Sequence, residues 1–378
     1  MKAIVLGCGL VGELIARDLA KDENFQVTVA DIDEKKLEKL AKEADIQGIR
    51  TDLSNSNDIK KIIADKDIVI GAVPGFLGFN TLRSVIEAGK NIIDISFMAE
   101  DTLSLNELAK KKGVTAVIDM GVAPGMSHMI VGYVNSLLDK TESATILVGG
   151  LPVIREWPYE YKISWSPKDV IEEYIRPARL IEGGKIVEKP ALSDLELVNL
   201  PKIGTLEAFN TDGLRSLLYT IKIPSMKEKT LRYPGYAEKV RMLRETGFFS
   251  DTPIEVEGAK IKPIDLTAKL LFPKWELKEG EEELTVMRVI VQGKKEGKRL
   301  CYTYDLLDYY DKNEQATSMS RVTGFPCAIM ARLVAQGEFK CPGVCPPEDI
   351  GREHKIYQKV MNELEKRDVF YKENIVEI

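Results

Sequence analysis

Residues 2–31, KAIVLGCGLVGELIARDLAKDENFQVTVAD, decide the fold. An apolar run over 3–6 reads as a strand that breaks into Gly7-Cys8-Gly9-Leu10-Val11-Gly12. A helical pattern follows over 13–21, then a second apolar run over 25–30 that ends at Asp31. Strand, glycine turn, helix, strand and acid form the context in which G-x-G-x-x-G binds a dinucleotide. Gly7 permits the tight turn, Gly9 lets a pyrophosphate approach the backbone, and Gly12 lets helix and strand pack closely. Leu10 and Val11 belong to the helix start, where free N–H groups and the helix dipole stabilise phosphates. Asp31 stands where a carboxylate accepts hydrogen bonds from both ribose hydroxyls. A 2′-phosphate would meet that carboxylate, and Ile32 and Asp33 bring no cation to offset it. The expected cofactor is therefore NAD rather than NADP.

The alternation continues past Asp31. Helical patterns over 34–44, 56–64, 80–88 and 103–112 alternate with short apolar runs over 48–51, 68–72, 91–95 and 115–118. Gly89 and Gly113 follow two of the helices as C′ residues. This predicts an α/β fold with a doubly wound parallel sheet of the Rossmann type. Ligands of such sheets sit beyond the carboxyl ends of the strands. That face collects the turn 7–12, Asp31, Asp52, the loop 72–78, and the exits at 94–98 and 119–126. Asp52 stands at an adenine-contact position or in a solvated turn, and Ala72, Val73 and Pro74 are placed against the nicotinamide ribose. From about residue 145 the pattern changes to β-rich runs over 144–148, 161–165, 195–198, 207–210 and 285–292. Helical stretches over 214–220 and 237–245 interrupt them, which reads as an α+β domain on an antiparallel or mixed sheet. Helical patterns return over 326–336 and 353–366.

A length of 378 residues suggests two domains. A net charge of −6 without a basic block argues against nucleic acid or anionic membranes as partners. No apolar stretch reaches the roughly 18 residues of a transmembrane helix. Met1-Lys2 runs straight into the first strand, which leaves no room for a signal peptide, so a cytoplasmic protein is expected. The 30% of charged residues, rich in Lys and Glu, lean towards a thermophilic source. Cys341-Pro-Gly-Val-Cys345 lacks the second pair or nearby His of a zinc site, so no metal is expected. A local disulfide and two ordinary thiols both fit that spacing.

The string Asp119-Met-Gly-Val-Ala-Pro-Gly-Met-Ser-His128 leaves the last strand of the nucleotide domain. Pro124-Gly125 opens a helix whose N-terminus can hold an anion or orient a ring, or else a hinge that redirects the chain. Gly121 is placed against the cofactor. His128, near the hydride-transfer end, is a candidate catalytic group, whereas His354 sits in a charged helical stretch.

Eight motifs carry a resemblance. They are Phe-Leu-Gly-Phe after Val73-Pro74-Gly75, Asp94-Ile-Ser-Phe, Gly121-Val-Ala-Pro-Gly-Met-Ser, Trp165-Ser-Pro-Lys-Asp, Tyr174-Ile-Arg-Pro-Ala, Thr211-Asp-Gly-Leu-Arg-Ser, Gly247-Phe-Phe and Ser318-Met-Ser-Arg-Val-Thr-Gly-Phe-Pro. Through them the chain resembles the saccharopine dehydrogenase-like family over nearly its whole length, and within it the L-lysine 6-dehydrogenases. The resemblance implies a Rossmann domain over 1–124 and 318–378, to which C-terminal helices return. It also implies a substrate and dimerisation domain over 125–317, like the second domain of glyceraldehyde-3-phosphate dehydrogenase, and a homodimer.

The implied reaction is NAD-dependent oxidation of the ε-amine of L-lysine. It yields ammonia and 2-aminoadipate 6-semialdehyde, which cyclises to piperideine-6-carboxylate. Such a substrate must lose an ammonium proton, so Asp94, Asp119 and His128 are candidate bases. Its α-carboxylate needs a cation, with Arg215 the first candidate and Arg321, beside the hydroxyl of Thr323, the second. Asp212 either caps a helix near Leu214 or binds the substrate amine. Trp165, Tyr174 and Arg176 are placed as pocket walls. Two alternatives stand beside this reading: reductive amination of the saccharopine or carboxynorspermidine dehydrogenase type, and a non-catalytic NAD-binding sensor or scaffold.

Overall fold

Ala3, Ile4, Val5 and Leu6 are all buried, as in a strand covered on both faces. The computed structural model describes residues 1–163, 167–278 and 280–378. It divides the chain into two units: 1–137 with 319–370, and 138–318 with 371–378.

Among the described residues the first unit holds a seven-stranded sheet whose pairings are all parallel. Its order runs Gly343–Cys345, Thr115–Val117, Ile92–Asp94, Ile68–Gly71, Lys2–Leu6, Gln26–Asp31 and Ile46–Arg50. The first strand pairs on both sides, with Gln26–Asp31 and Ile68–Gly71, so the sheet changes direction beside the glycine turn. The strand Gly343–Cys345 was not legible in the sequence, because three residues flanked by proline carry no periodicity. Cys341 and Cys345 are free thiols.

The helix expected over 80–88 spans Gly75–Glu87 instead. Pro74, at φ −55°, is its N-cap residue, so the segment read as a glycine-rich loop is its first turn. The returning C-terminal segment is fastened to the first helix, Leu10–Ala20, by charge. Asp18, only 6% exposed, accepts from Arg332 Nη1 at 2.5 Å and Arg367 Nε at 2.9 Å.

The unit boundaries differ from the expected ones at two places. Helix Met126–Leu137 lies in the first unit, and strand Tyr371–Glu377 in the second. The latter pairs antiparallel with Lys298–Tyr309, a register that fixes its place.

The second unit is built on a mixed sheet. Its main path runs Glu196–Leu200, Gly204–Asn210, Ser225–Arg232, Lys140–Pro152, Glu283–Lys295, Lys298–Tyr309 and Tyr371–Glu377. Only Ser225–Arg232 and Lys140–Pro152 pair in parallel along it. The hairpin Ala178–Glu182 and Lys185–Lys189 joins at Ser225–Arg232. One buried cluster gathers Tyr161, Tyr174, Phe209, Tyr236 and Trp275. Of the strand expected over 161–165, residues 164 and 165 lie outside the described residues, and Ile163 makes a bridge to Glu276. Helix Leu217–Thr220 starts later than expected because Arg215 has φ +46°, outside the helical region.

Candidate active site

In the first unit the glycine turn is set by steric necessity. Gly7 has φ +110° and donates its N–H to Ala30 O at 2.8 Å. A Cβ on it would lie 2.4 Å from Ala72 O, and one on Gly12 would lie 2.1 Å from Gly7 O. Gly9 differs: nothing lies within 4 Å of the position its Cβ would take. It is also the N-cap residue of helix Leu10–Ala20 and makes no side-chain cap bond. Open backbone over an uncapped helix start fits a pyrophosphate. Leu10, 51% exposed, and the half-buried Val11 form the first turn.

Asp31 is anchored on both oxygens. Oδ2 accepts from Cys8 N–H at 2.6 Å and Oδ1 from Asp33 N–H at 2.9 Å. Each oxygen retains a second lone pair, which suits a ribose diol. Asp52 accepts from Ser54 N–H at 2.9 Å in an exposed turn, and hydrogen bonding from Ser54 lowers its pKa. That is the solvated-turn alternative. Ala72 donates to Leu6 O at 2.9 Å, Val73 is buried, and Pro74 opens the following helix.

At the ends of the next two strands lie Asp94 and Asp119, 0% and 3% exposed. Burial, and then the charge of Asp119, push the Asp94 carboxyl up to about 8 against a bond from Ser96 N–H at 2.7 Å. Space for it comes from Gly71, where a Cβ would sit 1.9 Å from Asp94 Oδ2. Cys327, on helix Ser318–Ala335, was not anticipated near this pair. Its thiol is pushed up by burial and then by the charge of Asp94.

The turn at 121–125 corrects one expectation. Met126 N–H donates to Gly121 O at 2.9 Å and Ser127 N–H to Val122 O at 3.0 Å. The first donors of helix Met126–Leu137 are thus engaged by their own turn rather than offered to an anion. His128 is wholly buried, with Nδ1 3.0 Å from Ser127 Oγ. Thr323 packs its methyl on Gly121, 3.1 Å from where a Cβ would be. Arg321 is also corrected. Its Nη2 donates to the carbonyls of Arg367 and Asp368, at 3.1 and 3.4 Å, beyond the end of helix His354–Glu365. That is an anchor for the returning segment.

In the second unit Asp212 is neither a helix cap nor an open acceptor. Arg179 grips it with Nε on Oδ1 at 2.9 Å and Nη2 on Oδ2 at 2.8 Å, and adds its own N–H at 3.1 Å. This clamp draws together two segments, each carrying a further arginine three residues away: Arg176 and Arg215. The guanidinium of Arg176 is held below its ordinary pKa by burial and then by Arg215, so the two cations are near neighbours. Arg176 was expected as a pocket wall, but its place beside Arg215 was not legible, since the pairing of 179 with 212 has no local signature. Tyr174 is fully buried and shares a 2.8 Å hydrogen bond with Tyr236 OH, so it belongs to the core and not to a pocket wall. Trp165 lies outside the described residues. Beneath the loop 211–215, Glu228 is buried and its carboxyl is pushed up to about 8, by burial first, with Oε2 2.6 Å from the Thr211 hydroxyl oxygen.

Known proteins resemble this chain in both units. The model for the saccharopine dehydrogenase NADP binding domain matches residues 3–117, and that for the saccharopine dehydrogenase C-terminal domain matches 121–369. The chain is 24% identical to the NADP-dependent, L-glutamate-forming saccharopine dehydrogenase of Schizosaccharomyces pombe, covering 99% of each. It is 22% identical to carboxynorspermidine synthase of Vibrio cholerae, over 93% of this chain and 92% of the other. The fold is similar to apo saccharopine dehydrogenase from Saccharomyces cerevisiae, at a TM-score of 0.82, 22% identity and 99% of each chain. Homospermidine synthase from Legionella pneumophila, solved with NAD, gives 0.67 and 13% over 100% of this chain and 91% of that one.

Proposed function

The chain belongs to the saccharopine dehydrogenase family, and on that footing we propose that it is an NAD-dependent dehydrogenase of the ε-amine of L-lysine. Members of this family are oxidoreductases acting on CH–NH groups; the cofactor and the substrate are our reading. The observation that carries it is Asp31. Its carboxylate is fixed by two backbone N–H groups at the strand end, where it favours a ribose diol and repels a 2′-phosphate. Several relatives carry NADP in their names, so this residue is the point at which the chain is read apart from them.

A bound nicotinamide supplies the hydride acceptor. The protein's own residues do the rest. Gly9 and the start of helix Leu10–Ala20 hold the pyrophosphate. Arg215, with Arg176 beside it, binds the α-carboxylate. Asp119, with Asp94 behind it, takes the proton that the ε-ammonium must lose before oxidation. In our reading the protein is a cytoplasmic homodimer.

A second reading, oxidation of saccharopine, is favoured by the same arginine pair, since two neighbouring cations can serve more than one carboxylate. Purified protein, mixed with NAD or NADP and either amino acid, separates the two by absorbance of the reduced nucleotide. The proposal expects turnover with L-lysine and NAD. Turnover with saccharopine alone would replace it with the second reading.

A further inference from the structure

Glu228 begins a chain of four oxygens inside the second unit. Its Oε2 is 2.6 Å from Thr211 Oγ1, which is 2.9 Å from Thr230 Oγ1, which is 2.6 Å from Glu173 Oε1. Three contacts of hydrogen-bond length need three protons. Each threonine hydroxyl carries one, and an ionised carboxylate carries none. The third proton must sit on one of the two glutamates.

Charge chooses which. Glu173 is ion-paired on its other oxygen with Arg232, whose guanidinium lies 3.5 Å away. Glu228 faces the negative charges of Glu173 and Asp212, against which stands a backbone bond from the N–H of Gly213. Asp212 is itself ion-paired with Arg179 at 2.8 Å. The chain of bonds then runs one way: Glu228 donates to Thr211, Thr211 to Thr230, and Thr230 to Glu173.

Glu228 also touches the loop that bears Arg215. A Cβ on Gly213 would lie 2.5 Å from its carboxyl carbon and from Oε2, so the loop rests directly on this acid. We propose that Glu228 is a positioning residue that holds a proton at neutral pH, and that this proton keeps the loop 211–215 seated to present Arg215. Loss of the proton removes one bond of the chain and adds a third negative charge to those of Glu173 and Asp212. The inference rests on Arg215 meeting the substrate carboxylate, but the held proton itself does not.

The effect has a definite sign. With the carboxyl raised from 4.5 to about 8, the stabilising protonated form is complete below 4.5 and is lost as pH climbs through about 8. The test has two arms. Carboxyl ¹³C NMR of the wild-type protein labelled at glutamate should show one group titrating near 8, absent from Glu228→Gln. In steady-state kinetics the KM for L-lysine of the wild type should rise about tenfold on the alkaline side, the order of one lost charge-assisted bond. Glu228→Gln, which keeps a donor for Thr211, should lack that rise, and comparing the two cancels the substrate's own titration. A Glu228 carboxyl that titrates in the ordinary range, or a Gln variant with the same alkaline rise, overturns the proposal. Arg215→Ala with an unchanged KM would instead sink the carboxylate reading, while the NMR arm still decides the proton.

Discussion

The glycine turn of the first unit and the arginine–carboxylate cluster of the second are built on opposite plans. In the turn the spacing itself is local, with Gly12 set against Gly7 O, and only the contact of Gly7 with Ala72 O comes from afar. Gly7, Gly9 and Gly12 lie within six residues, and what matters is which of them has room for a side chain. In the cluster every constraint is remote. Arg179 meets Asp212 across 33 residues, and Thr230 meets Glu173 across 57. Local backbone geometry is written as residue type at fixed spacing, whereas ion-pair partners are written nowhere until the sheet brings them together.

The sharpest way to break this comparison is inside the turn. Gly12→Ala places a methyl against Gly7 O and should abolish nucleotide binding, with loss of thermal stability in a melting scan. Gly9→Ala meets nothing in the protein, so its melting temperature should stay unchanged while nucleotide affinity falls. A Gly9→Ala protein that binds as well as the wild type would contradict the placement of the pyrophosphate over the helix start.

A smaller effect is expected in the cluster. Arg215→Ala should raise the KM for the amino acid by about 10- to 100-fold, the range of a lost bond to a charged group. Arg321→Ala should leave KM alone and lower stability instead, because its partners are the carbonyls of Arg367 and Asp368. The reverse pattern would restore Arg321 as the clamp. The smallest change lies at the strand end. Asp31→Ala should weaken NAD by about tenfold and NADP by less, measured by titration calorimetry. Equal losses would remove the case for the ribose.

Much of the first unit was legible because its signals are periodic and punctuated. Gly113 closes its helix at φ +65°, where the sequence places a C′ glycine. The seventh strand escaped notice because Gly343–Cys345 is too short to show a period. In the second unit, Asp212 was read from its neighbours as a cap, but a remote arginine had a stronger claim on it. His128 was read from its position after a strand, and position alone does not reveal that an imidazole is fully buried. Thr211 and Arg215 were quoted as a motif, yet Glu228 beneath them belongs to no motif. It was visible only once the register set Asn210 opposite Lys229 and so brought Thr211 beside Glu228.

Oxidation at the ε-carbon of lysine, with NAD as acceptor, releases the ε-nitrogen as ammonia. Incubating the purified protein with NAD and L-lysine labelled with ¹⁵N at the ε-position tests it in one tube. A lysine ε-dehydrogenase gives ¹⁵N-ammonium by NMR in step with reduced nucleotide. Reduced nucleotide without labelled ammonium, or neither product, would contradict that reading.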